Sequence, residues 1–319
     1  MIKILANDGI SNAGINSLTE KGFNIVTNHV RQDQLINTIN KERYEVLLVR
    51  SATTVRRDLI DACPELKIIG RGGVGMDNID VDYARKKGIK VINTPSASSV
   101  SVAELVFAHL FGMVRFLFDS NRQMPIIGDS EFKKLKKSFS QGKELAGKTL
   151  GIIGFGRIGQ EVAKRAIGLG MNIIAYDKFI KKAKIKLEFF NGDEKTFTIE
   201  TKEIDNLLSN SDFITLHIPK NDSKAVIGAE EIGKMKKGAG IINTSRGGLI
   251  DETALMFALD KQKLSYAGLD VFDNEPNPSI HICMHNAISL TPHIGAATIE
   301  AQERIGTELA DQIIAHFGK

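Results

Sequence analysis

The chain has 319 residues, of which 42% are hydrophobic and 25% charged, and its formal net charge is +4. This length exceeds one ordinary hydrophobic core and predicts two domains in a soluble globular protein. The mild charge suits small anionic ligands and lacks the concentrated basicity of a nucleic-acid binder, so we expect no nucleic-acid partner. The only two cysteines, Cys63 and Cys283, exclude a disulfide framework and predict a reducing compartment, the cytoplasm.

The N-terminus and the most apolar stretch of the chain give no sign of a membrane partner. Residues 2–6 form an apolar run without a signal-peptide pattern. The stretch 100–118 contains Glu104, His109 and Arg115, which make it too polar to span a bilayer. We therefore expect a buried helix there.

The first 97 residues alternate short apolar runs with amphipathic stretches. The runs predicted to be buried strands are 3–5, 23–26, 46–49, 66–69 and 90–92. The stretches predicted to be helices are 11–21, 33–40, 54–62 and 80–87. This alternation predicts a parallel sheet covered on both faces.

A long helix over 98–118 leads to a second alternating block. Its predicted strands are 149–153, 172–176, 241–244, 267–271 and 288–290. A last helix over 298–317 is expected to return to the first block. We therefore predict a domain at 98–292 that is inserted into a domain formed by 1–97 and 293–319.

Segment 184–200 departs from this alternation of strands and helices. Its apolar residues alternate around Asn191 and Gly192. Asn-Gly between alternating runs favours a β-hairpin, and an irregular loop is the alternative.

A glycine-rich motif follows the predicted strand 149–153 and opens a helix over 158–169. Gly154 permits a tight turn, Gly156 lets a pyrophosphate approach the backbone, and Gly159 lets helix and strand pack closely. The free N–H groups and the dipole of a helix N-terminus favour negative charge. The motif therefore predicts a dinucleotide site.

Asp177 stands at the end of the next predicted strand, 172–176. A carboxylate there can accept hydrogen bonds from ribose hydroxyls and repels a 2′-phosphate, which favours NAD over NADP. Lys178, Lys181 and Lys182 weaken this argument unless they form a solvated charge run, the interpretation we favour.

Three further residues follow predicted strands and can carry out proton and substrate chemistry. Arg246 lies beside two glycines and can form a bidentate pair with a carboxylate. His293 can take the proton that a secondary alcohol must lose when hydride leaves, and Glu275 can orient the imidazole. Each has a structural alternative: a capping or surface arginine, a loop histidine and a solvated acid. Their order after a dinucleotide motif favours a dehydrogenase.

The chain resembles the D-2-hydroxyacid dehydrogenases over nearly its whole length. The segments that carry the resemblance, besides the motifs above, are 50–60, 70–80, 91–105 and 212–219. Among that family it is most similar to the D-3-phosphoglycerate dehydrogenases, in a short form without a C-terminal regulatory domain. The resemblance implies an α/β fold of two doubly wound parallel-sheet domains. In this fold a Rossmann NAD-binding domain is inserted into a flavodoxin-like substrate domain, and a homodimer forms through the NAD-binding domain.

The resemblance also assigns roles to residues of this sequence. It implies that Arg246, Glu275 and His293 are catalytic. The implied cofactor contacts are Gly154, Gly156, Arg157, Ile158, Gly159, Asp177, His217, Ile218, Pro219, Thr244, Asp270 and Gly295. The implied substrate contacts are Arg50, Ser51, Gly72, Gly73, Val74 and Arg246. Val74 departs from the small polar residue of many phosphoglycerate enzymes, so a hydrogen bond near the nicotinamide is expected to be missing.

The favoured activity is NAD-dependent oxidation of 3-phosphoglycerate to 3-phosphohydroxypyruvate, with a phosphorylated 2-hydroxy acid as the small-molecule partner. A glyoxylate or hydroxypyruvate reductase is the alternative within the class. A non-catalytic NAD-sensing corepressor on the same fold is the alternative from another class.

Two other patterns have a functional and a plain interpretation. His281, Cys283 and His285 alternate as zinc ligands can on an extended segment, but no fourth ligand is evident, so a surface loop and no metal are favoured. Lys133, Lys134, Lys136 and Lys137 form either a solvated face or a phosphate-binding group.

Overall fold

The computed structural model describes residues 1–220 and 224–318 and divides the chain into two compact units. Unit 1 comprises Met1–Ser101 and Ala296–Lys319, and unit 2 comprises Val102–Gly295. The inserted unit thus begins at residue 102 rather than at the predicted 98, and it ends at 295 rather than at 292.

Unit 1 is built on a five-stranded sheet. Its strands are β1 (Lys3–Ala6), β2 (Asn24–Val26), β3 (Val46–Val49), β4 (Ile68–Arg71) and β5 (Lys90–Asn93). Its helices up to this point are α1 (Asn12–Glu20), α2 (Leu35–Glu42, after a 3-10 turn at Gln32–Gln34), α3 (Arg57–Ala62) and α4 (Val81–Lys86). The strands are all parallel and lie in the order β2-β1-β3-β4-β5, which is the flavodoxin-like order. The predicted fold of this unit is confirmed.

Both faces of this sheet are buried. Leu5 and Ile69 belong to the core on one face, and their neighbours Ile4 and Ile68 belong to the core on the other. Successive side chains of a strand point to opposite faces, so burial on both faces requires an unbroken apolar run. This is why these strands could be predicted from short apolar runs.

Unit 2 contains a six-stranded parallel sheet and a separate hairpin. Its helices are α5 (Ser99–Val114, which begins in unit 1), α6 (Leu117–Ile127), α7 (Phe132–Ser138), α8 (Arg157–Gly168), α9 (Ile204–Asn210), α10 (Ala229–Lys234), α11 (Glu252–Asp260) and α12 (Ile280–Cys283). Its strands are β6 (Thr149–Ile153), β7 (Asn172–Tyr176), β8 (Lys182–Glu188), β9 (Glu194–Glu200), β10 (Phe213–Leu216), β11 (Ala239–Asn243), β12 (Leu264–Leu269) and β13 (Ile288–Leu290). The last helix, α13 (Ile299–Phe317), belongs to unit 1.

The order of the six strands is β13-β12-β11-β10-β6-β7. Beyond β7, Thr201 makes a single parallel bridge to Ala175, where a Rossmann sheet has its third strand. The order reverses between β6 and β10, and ligands of doubly wound sheets bind at such a switch point, outside the carboxyl ends of the strands. The predicted Rossmann fold of this unit is confirmed.

The helix predicted over 98–118 is confirmed except at its C-terminal end, where residues 115–118 do not continue it. The helix α5 ends at Val114, and Phe116 adopts a left-handed backbone conformation with φ of 54° before α6 begins. The Phe116 ring lies 5.9 Å from the ring of Phe139 and 6.4 Å from that of Tyr266. These contacts come from distant parts of the chain, so the local apolar run gave no sign of the break.

The same break bears on the possibility of a membrane span. In the described residues no single helix is long and apolar enough to cross a membrane. Helices α5 and α6 meet the length and composition criteria only as a pair, and they are bent by 54°.

The predicted hairpin is confirmed. Strands β8 and β9 pair antiparallel, with Lys182 opposite Glu200 at one end and Glu188 opposite Glu194 at the other. The turn between them contains Asn191 and Gly192. Ile185 is fully buried in a core of unit 2 that also contains residues of α8, so the hairpin is packed onto the domain.

Candidate active site

The glycine-rich loop connects β6 to α8 and touches the loop after β10. A Cβ atom at Gly154, where φ is 94°, would overlap the carbonyl of His217, and one at Gly159 would overlap the carbonyl of Gly154. At Gly156, the N-cap of α8, a Cβ would meet no heavy atom within 4 Å. Two of the glycines therefore permit close packing, and the third leaves open space at the helix N-terminus.

This open space and the polar atoms near the strand ends fit a dinucleotide. His217 Nδ1 and Thr244 Oγ1, which follow the adjacent strands β10 and β11, are buried without a hydrogen-bond partner among the described residues. His217 Nε2 lies 2.9 Å from Thr215 Oγ1, and burial lowers the pKa of His217 to about 3, so the ring is neutral at pH 7. Unpartnered buried polar atoms call for a ligand or water, and the helix N-terminus suits a phosphate. NAD would meet both here and would supply a hydride acceptor.

The Asp177 side chain lies at this site and also accepts hydrogen bonds from the backbone around it. Its Oδ2 accepts from the Phe155 N–H at 2.7 Å, and its Oδ1 accepts from the N–H groups of Phe179 and Ile180 at 2.8 and 2.9 Å. Burial acts to raise the pKa of Asp177, but these donors outweigh it and hold the pKa below its usual value. These backbone contacts give Asp177 a structural role in addition to the cofactor role expected from the sequence.

Asp270 is fully buried just after β12 and organises the turn at residues 291–295. Its Oδ1 accepts from the Thr291 hydroxyl at 2.7 Å and from the Ile294 N–H at 2.8 Å, and its Oδ2 accepts from the Gly295 N–H at 2.9 Å. Burial raises the pKa of Asp270 above its usual value, against these donors. Within this turn His293 has φ of 55°.

The loop after β11 brings Arg246 beside the loop that carries Glu275. Asn243 is buried, accepts from the Ser245 N–H at 3.0 Å and donates to the carbonyl of Arg246 at 2.8 Å. A Cβ at Gly247 would overlap the carbonyl of Phe272, so only glycine allows the two loops to approach this closely. Asn243 and Gly247 therefore fix the position of Arg246.

Glu275 and His293 form a direct pair. His293 Nδ1 lies 2.7 Å from Glu275 Oε2, and the Phe272 N–H donates to Glu275 Oε1 at 3.0 Å. Since a carboxylate accepts, Nδ1 carries the proton and Nε2 of a neutral ring is the atom that can take another. The His293 side chain is 45% exposed, so a substrate hydroxyl can reach it.

Two candidate substrate residues of unit 1, Arg50 and Ser51, follow β3 at the switch point between β1 and β3. Asp8, which follows β1, accepts from the Arg50 N–H at 2.6 Å and from the Thr53 N–H at 3.0 Å. Asn78 donates to the carbonyls of Arg50 and Thr53 at 2.7 and 2.6 Å and accepts from Arg71 Nε at 3.1 Å. Asp8 and Asn78 therefore hold the Arg50–Thr53 loop, in which Ser51 is exposed.

The glycine turn after β4 lies next to this loop. Gly73 has φ of 152°, and a Cβ there would lie 2.6 Å from Arg71 Nη1, so the missing side chain leaves room for the guanidinium. The carbonyl of Val74 accepts from Asn93 Nδ2 at 2.7 Å, and the Val74 side chain is 39% exposed.

Sequence reasoning missed three residues that hold these loops, Asp8, Asn78 and Asn243. All three are short polar residues at strand ends or turns, a signal that could have drawn attention to them. Their partners are backbone groups up to 45 residues away, which the sequence does not identify.

The two remaining patterns have the following structures. His281 and Cys283 lie in the single turn of α12, so the extended segment of the zinc hypothesis is absent. Among residues 1–220 and 224–318 no group of three or more His, Cys, Asp and Glu side chains lies close enough to hold a metal ion. The lysines at 133, 134, 136 and 137 are exposed on α7.

A histidine able to transfer a proton, beside a Rossmann sheet with a dinucleotide loop, is the combination that a nicotinamide-dependent dehydrogenase requires. This is the class that the fold and the site define. The family model for the NAD-binding domain of D-isomer specific 2-hydroxyacid dehydrogenases matches residues 107–295, and the chain belongs to this family. Its class is thus that of NAD-binding oxidoreductases acting on the CH–OH group of 2-hydroxy acids.

Similar proteins are named for three different substrates. The chain is 43% identical to a hydroxypyruvate reductase of Thermotoga maritima over 99% of this chain and 98% of that protein. It is 43% identical to a D-3-phosphoglycerate dehydrogenase of Methanocaldococcus jannaschii over 98% of this chain, which spans 57% of that protein. The crystal structure of a glyoxylate reductase from Paecilomyes thermophila superposes with a TM-score of 0.81 at 29% identity, covering 98% of this chain and 94% of that one.

Proposed function

We propose that this protein oxidises a D-2-hydroxy acid, or reduces the matching 2-oxo acid, at Arg246, Glu275 and His293. His293 Nε2 takes the proton of the substrate hydroxyl as the C2–H bond breaks. Glu275 orients the ring and stabilises the imidazolium that forms. Arg246 binds the substrate carboxylate. NAD, held by the residues of unit 2 named below, would supply the hydride acceptor. In the reverse direction His293 returns its proton to the carbonyl oxygen.

The observation that carries this proposal is the 2.7 Å contact between His293 Nδ1 and Glu275. Changing His293→Ala is expected to lower turnover by about 10²–10⁴-fold, the usual worth of a positioned acid–base group, while NADH still binds. Steady-state kinetics and NADH fluorescence titration measure the two effects. Turnover within about threefold of the parent would exclude His293 as the acid–base residue.

The cofactor contacts of the proposal follow the geometry of unit 2. Gly154, Gly156, Arg157, Ile158 and Gly159 would meet the pyrophosphate. The other proposed contacts are Asp177, His217, Ile218, Pro219, Thr244, Asp270 and Gly295. Their support is the open N-terminus of α8 and the unpartnered atoms of His217 and Thr244.

For the substrate we propose 3-phosphoglycerate, with Arg50, Ser51, Gly72, Gly73 and Val74 as contacts in addition to Arg246. Arg50 and Arg71 stand at adjacent strand ends of unit 1 and are tied together through Asn78. Because Arg246 is proposed to bind the substrate carboxylate, the additional cationic groups of Arg50 and Arg71 suit a substrate with a second anionic end.

Substitution of the α7 lysines tests whether the substrate carries a phosphate. Reversing the charge of Lys136 and Lys137 together is expected to raise KM for 3-phosphoglycerate more than KM for an unphosphorylated acid, and added salt should shrink the effect. Charge reversal of Lys21 and Lys41, two exposed lysines of unit 1, is the control of equal net charge. An unchanged KM would assign the α7 lysines to a solvated surface.

Reduction of hydroxypyruvate is the second candidate, because the hydroxypyruvate reductase of Thermotoga maritima matches this chain over nearly its full length. Comparing kcat/KM for phosphohydroxypyruvate, hydroxypyruvate and glyoxylate with NADH distinguishes the two. At least tenfold preference for the phosphorylated acid supports the first candidate, and the reverse order supports the second.

We also propose a homodimer that forms through unit 2. Leu117, Phe118, Ile126 and Phe132 are between 50% and 76% exposed on α6 and α7. Contiguous exposed apolar side chains are uncommon on monomers and mark interaction sites. Sedimentation equilibrium should give about twice the chain mass of 35.0 kDa, and Ile126→Asp should shift it towards the monomer.

A further inference from the structure

His109 is a buried histidine of α5 with both ring nitrogens in hydrogen bonds. The residue is 2% exposed, its Nδ1 lies 2.8 Å from Ser289 Oγ, and its Nε2 lies 3.0 Å from Thr291 Oγ1. Both hydroxyls belong to β13 and the residue just after it. A Cβ at Gly268 would lie 3.0 Å from His109 Cβ, so β12 also passes close to the side chain.

The directions of these hydrogen bonds follow from the last acceptor, Asp270. An ionised carboxylate only accepts, so the Thr291 hydroxyl proton points at Asp270 Oδ1, 2.7 Å away. The Thr291 oxygen must then accept from Nε2–H of His109. In a neutral imidazole Nδ1 is left without a proton, so it accepts from the Ser289 hydroxyl. The four residues form one directed chain, Ser289 to His109 to Thr291 to Asp270, which we call the His109 chain.

The protonation state of His109 agrees with this direction. Burial lowers the pKa of His109 to about 4, so the ring is neutral at pH 7. In a protonated ring both nitrogens carry a proton, so Nδ1 could not accept the hydrogen bond from the Ser289 hydroxyl.

The His109 chain ends on the turn that carries His293. Asp270 binds the backbone N–H groups of Ile294 and Gly295, which directly follow His293, and Thr291 lies two residues before it. The left-handed backbone of His293 is disfavoured for a residue with a side chain, so the surroundings must hold it in place.

We infer that His109 is a positioning residue for the active site, because its neutral ring fixes Thr291 and, through Thr291, the Asp270 carboxylate that holds the His293 turn. This inference rests on the role proposed above for His293. It gives His109 a part in turnover without contact with substrate or cofactor.

Two neutral replacements separate the two ends of the ring. In His109→Gln the amide nitrogen can occupy the place of Nε2 and keep the donor to Thr291. In His109→Asn the short amide can reach Ser289 but not Thr291. We expect kcat to fall by about tenfold in His109→Asn, the scale of one buried hydrogen bond left unmade, and His109→Gln to restore most of it. Equal kcat losses in the two variants, or a larger loss in His109→Gln, would overturn the inference.

A second pair of variants keeps the test valid where His109 substitutions do not fold. Thr291→Val removes the hydroxyl that joins His109 to Asp270, and Thr291→Ser retains it. We expect Thr291→Val to lose kcat by about tenfold, as for the first pair, and Thr291→Ser to lose much less. Adding His109→Asn to Thr291→Val should change kcat by less than about twofold, since both changes break the same chain. Independent, multiplying losses would mean that His109 acts only as a core residue.

Hydrogen exchange of the Ile294 and Gly295 amides supplies a readout that needs no turnover. Faster exchange in His109→Asn and Thr291→Val, but not in His109→Gln and Thr291→Ser, is the expected result. An enzyme that reduces no 2-oxo acid would refute the proposed function, while this exchange pattern would still test the His109 chain. Unchanged exchange in every variant would overturn the chain even if the enzyme were active.

Discussion

At the scale of single residues, glycines and short polar side chains decide which loops of the site can meet. Gly247 lets the Arg246 loop lie against the loop that holds Glu275, and Asn243 bonds to the N–H of Ser245 and to the carbonyl of Arg246. The charged residues could be predicted from sequence because their chemistry is recognisable after a strand. The residues that fix them could not, because Gly247 is set by a backbone atom of another loop and Asn243 carries no chemistry that marks it as part of a site.

Gly247→Ala tests whether this close approach sets the active geometry. The added Cβ would overlap the Phe272 carbonyl and displace one loop, so we expect stability to fall by about 1–3 kcal/mol, as in other overpacked sites. Expressed as a free energy, the loss in kcat should be at least as large as the loss in stability, because separation of the two loops displaces Arg246. Urea unfolding and kcat measure the two effects.

Gly233→Ala is the matched control for that substitution. Gly233 is exposed in α10, and a Cβ there would meet no atom within 4 Å, so alanine should be neutral or stabilise the helix by up to about 1 kcal/mol. Parent-like kcat in Gly247→Ala would show that the loop contact does not position Arg246.

Asp177→Asn separates the charge of this side chain from its size. The amide oxygen can still accept from Phe179 and Ile180, but the amide N–H₂ group would face the Phe155 N–H. We expect KM for NAD to rise by about tenfold, on the scale of a buried donor left unpaired. The preference for NAD over NADP should narrow because the charge that repels the 2′-phosphate is lost.

Lys182→Ala, at an exposed position of β8, is the control for Asp177→Asn and should leave both cofactor constants near those of the parent. A parent enzyme that uses NADP as well as NAD would refute the role of Asp177 in cofactor choice.

At the scale of elements, local patterns predicted what local physics determines. The strands of both sheets are apolar because both of their faces are covered, and Asn191-Gly192 suits the tight turn of the hairpin. The helix break at Phe116 coincides instead with ring contacts to Phe139 and Tyr266, so the apolar run to residue 118 predicted a helix four residues longer than α5 at its C-terminal end. In the sequence His109 is likewise only a polar residue in an apolar helix, because its two hydroxyl partners lie about 180 residues away in the chain.

The hairpin offers a direct test of whether it is part of the domain core. Ile185 is fully buried, and Ile185→Ala is expected to lower the free energy of unfolding by about 3 kcal/mol through lost burial and the cavity left behind. Phe190 lies on the same hairpin but is fully exposed, so Phe190→Ala should change it by less than about 0.5 kcal/mol. Urea unfolding followed by circular dichroism compares the two variants. Equal effects would mean that the hairpin does not pack as described.

At the scale of the whole molecule, each unit places two loops of its candidate site at the switch point of its own sheet. In unit 1 these are the loops after β1 and β3, and in unit 2 the glycine-rich loop and the loop after β10. Unit 2 also contains two neutral histidines: His109, which is buried next to the turn of His293, and His217, which follows β10 and has a buried Nδ1. The same histidines make the stability of unit 2 depend on pH.

We expect the free energy of unfolding of unit 2 to fall as the pH is lowered from 7.5 to 5. Burial lowers the pKa of His109 from 6.5 to about 4 and that of His217 from 6.5 to about 3. Below pH 6.5 both histidines are therefore protonated in the unfolded chain but remain neutral in the native protein. The stabilisation that is present above pH 6.5 is lost progressively as the pH falls from 6.5 towards the native pKa values. The loss at pH 5 is about 2 kcal/mol for each histidine.

Asp270 acts in the opposite sense. Burial raises its pKa, so as the pH falls the native carboxyl binds a proton before the unfolded one does, and its contribution to stability has the opposite sign to that of the histidines. Urea unfolding at pH 7.5, 6 and 5, at one fixed protein concentration, measures the net dependence. His109→Gln has no proton to bind at residue 109, so its loss between pH 7.5 and 5 should be smaller than that of the parent by about 2 kcal/mol. Identical pH dependence in the two proteins would mean that His109 titrates in the native state as it does in the unfolded chain, and the neutral, fully bonded ring would be refuted.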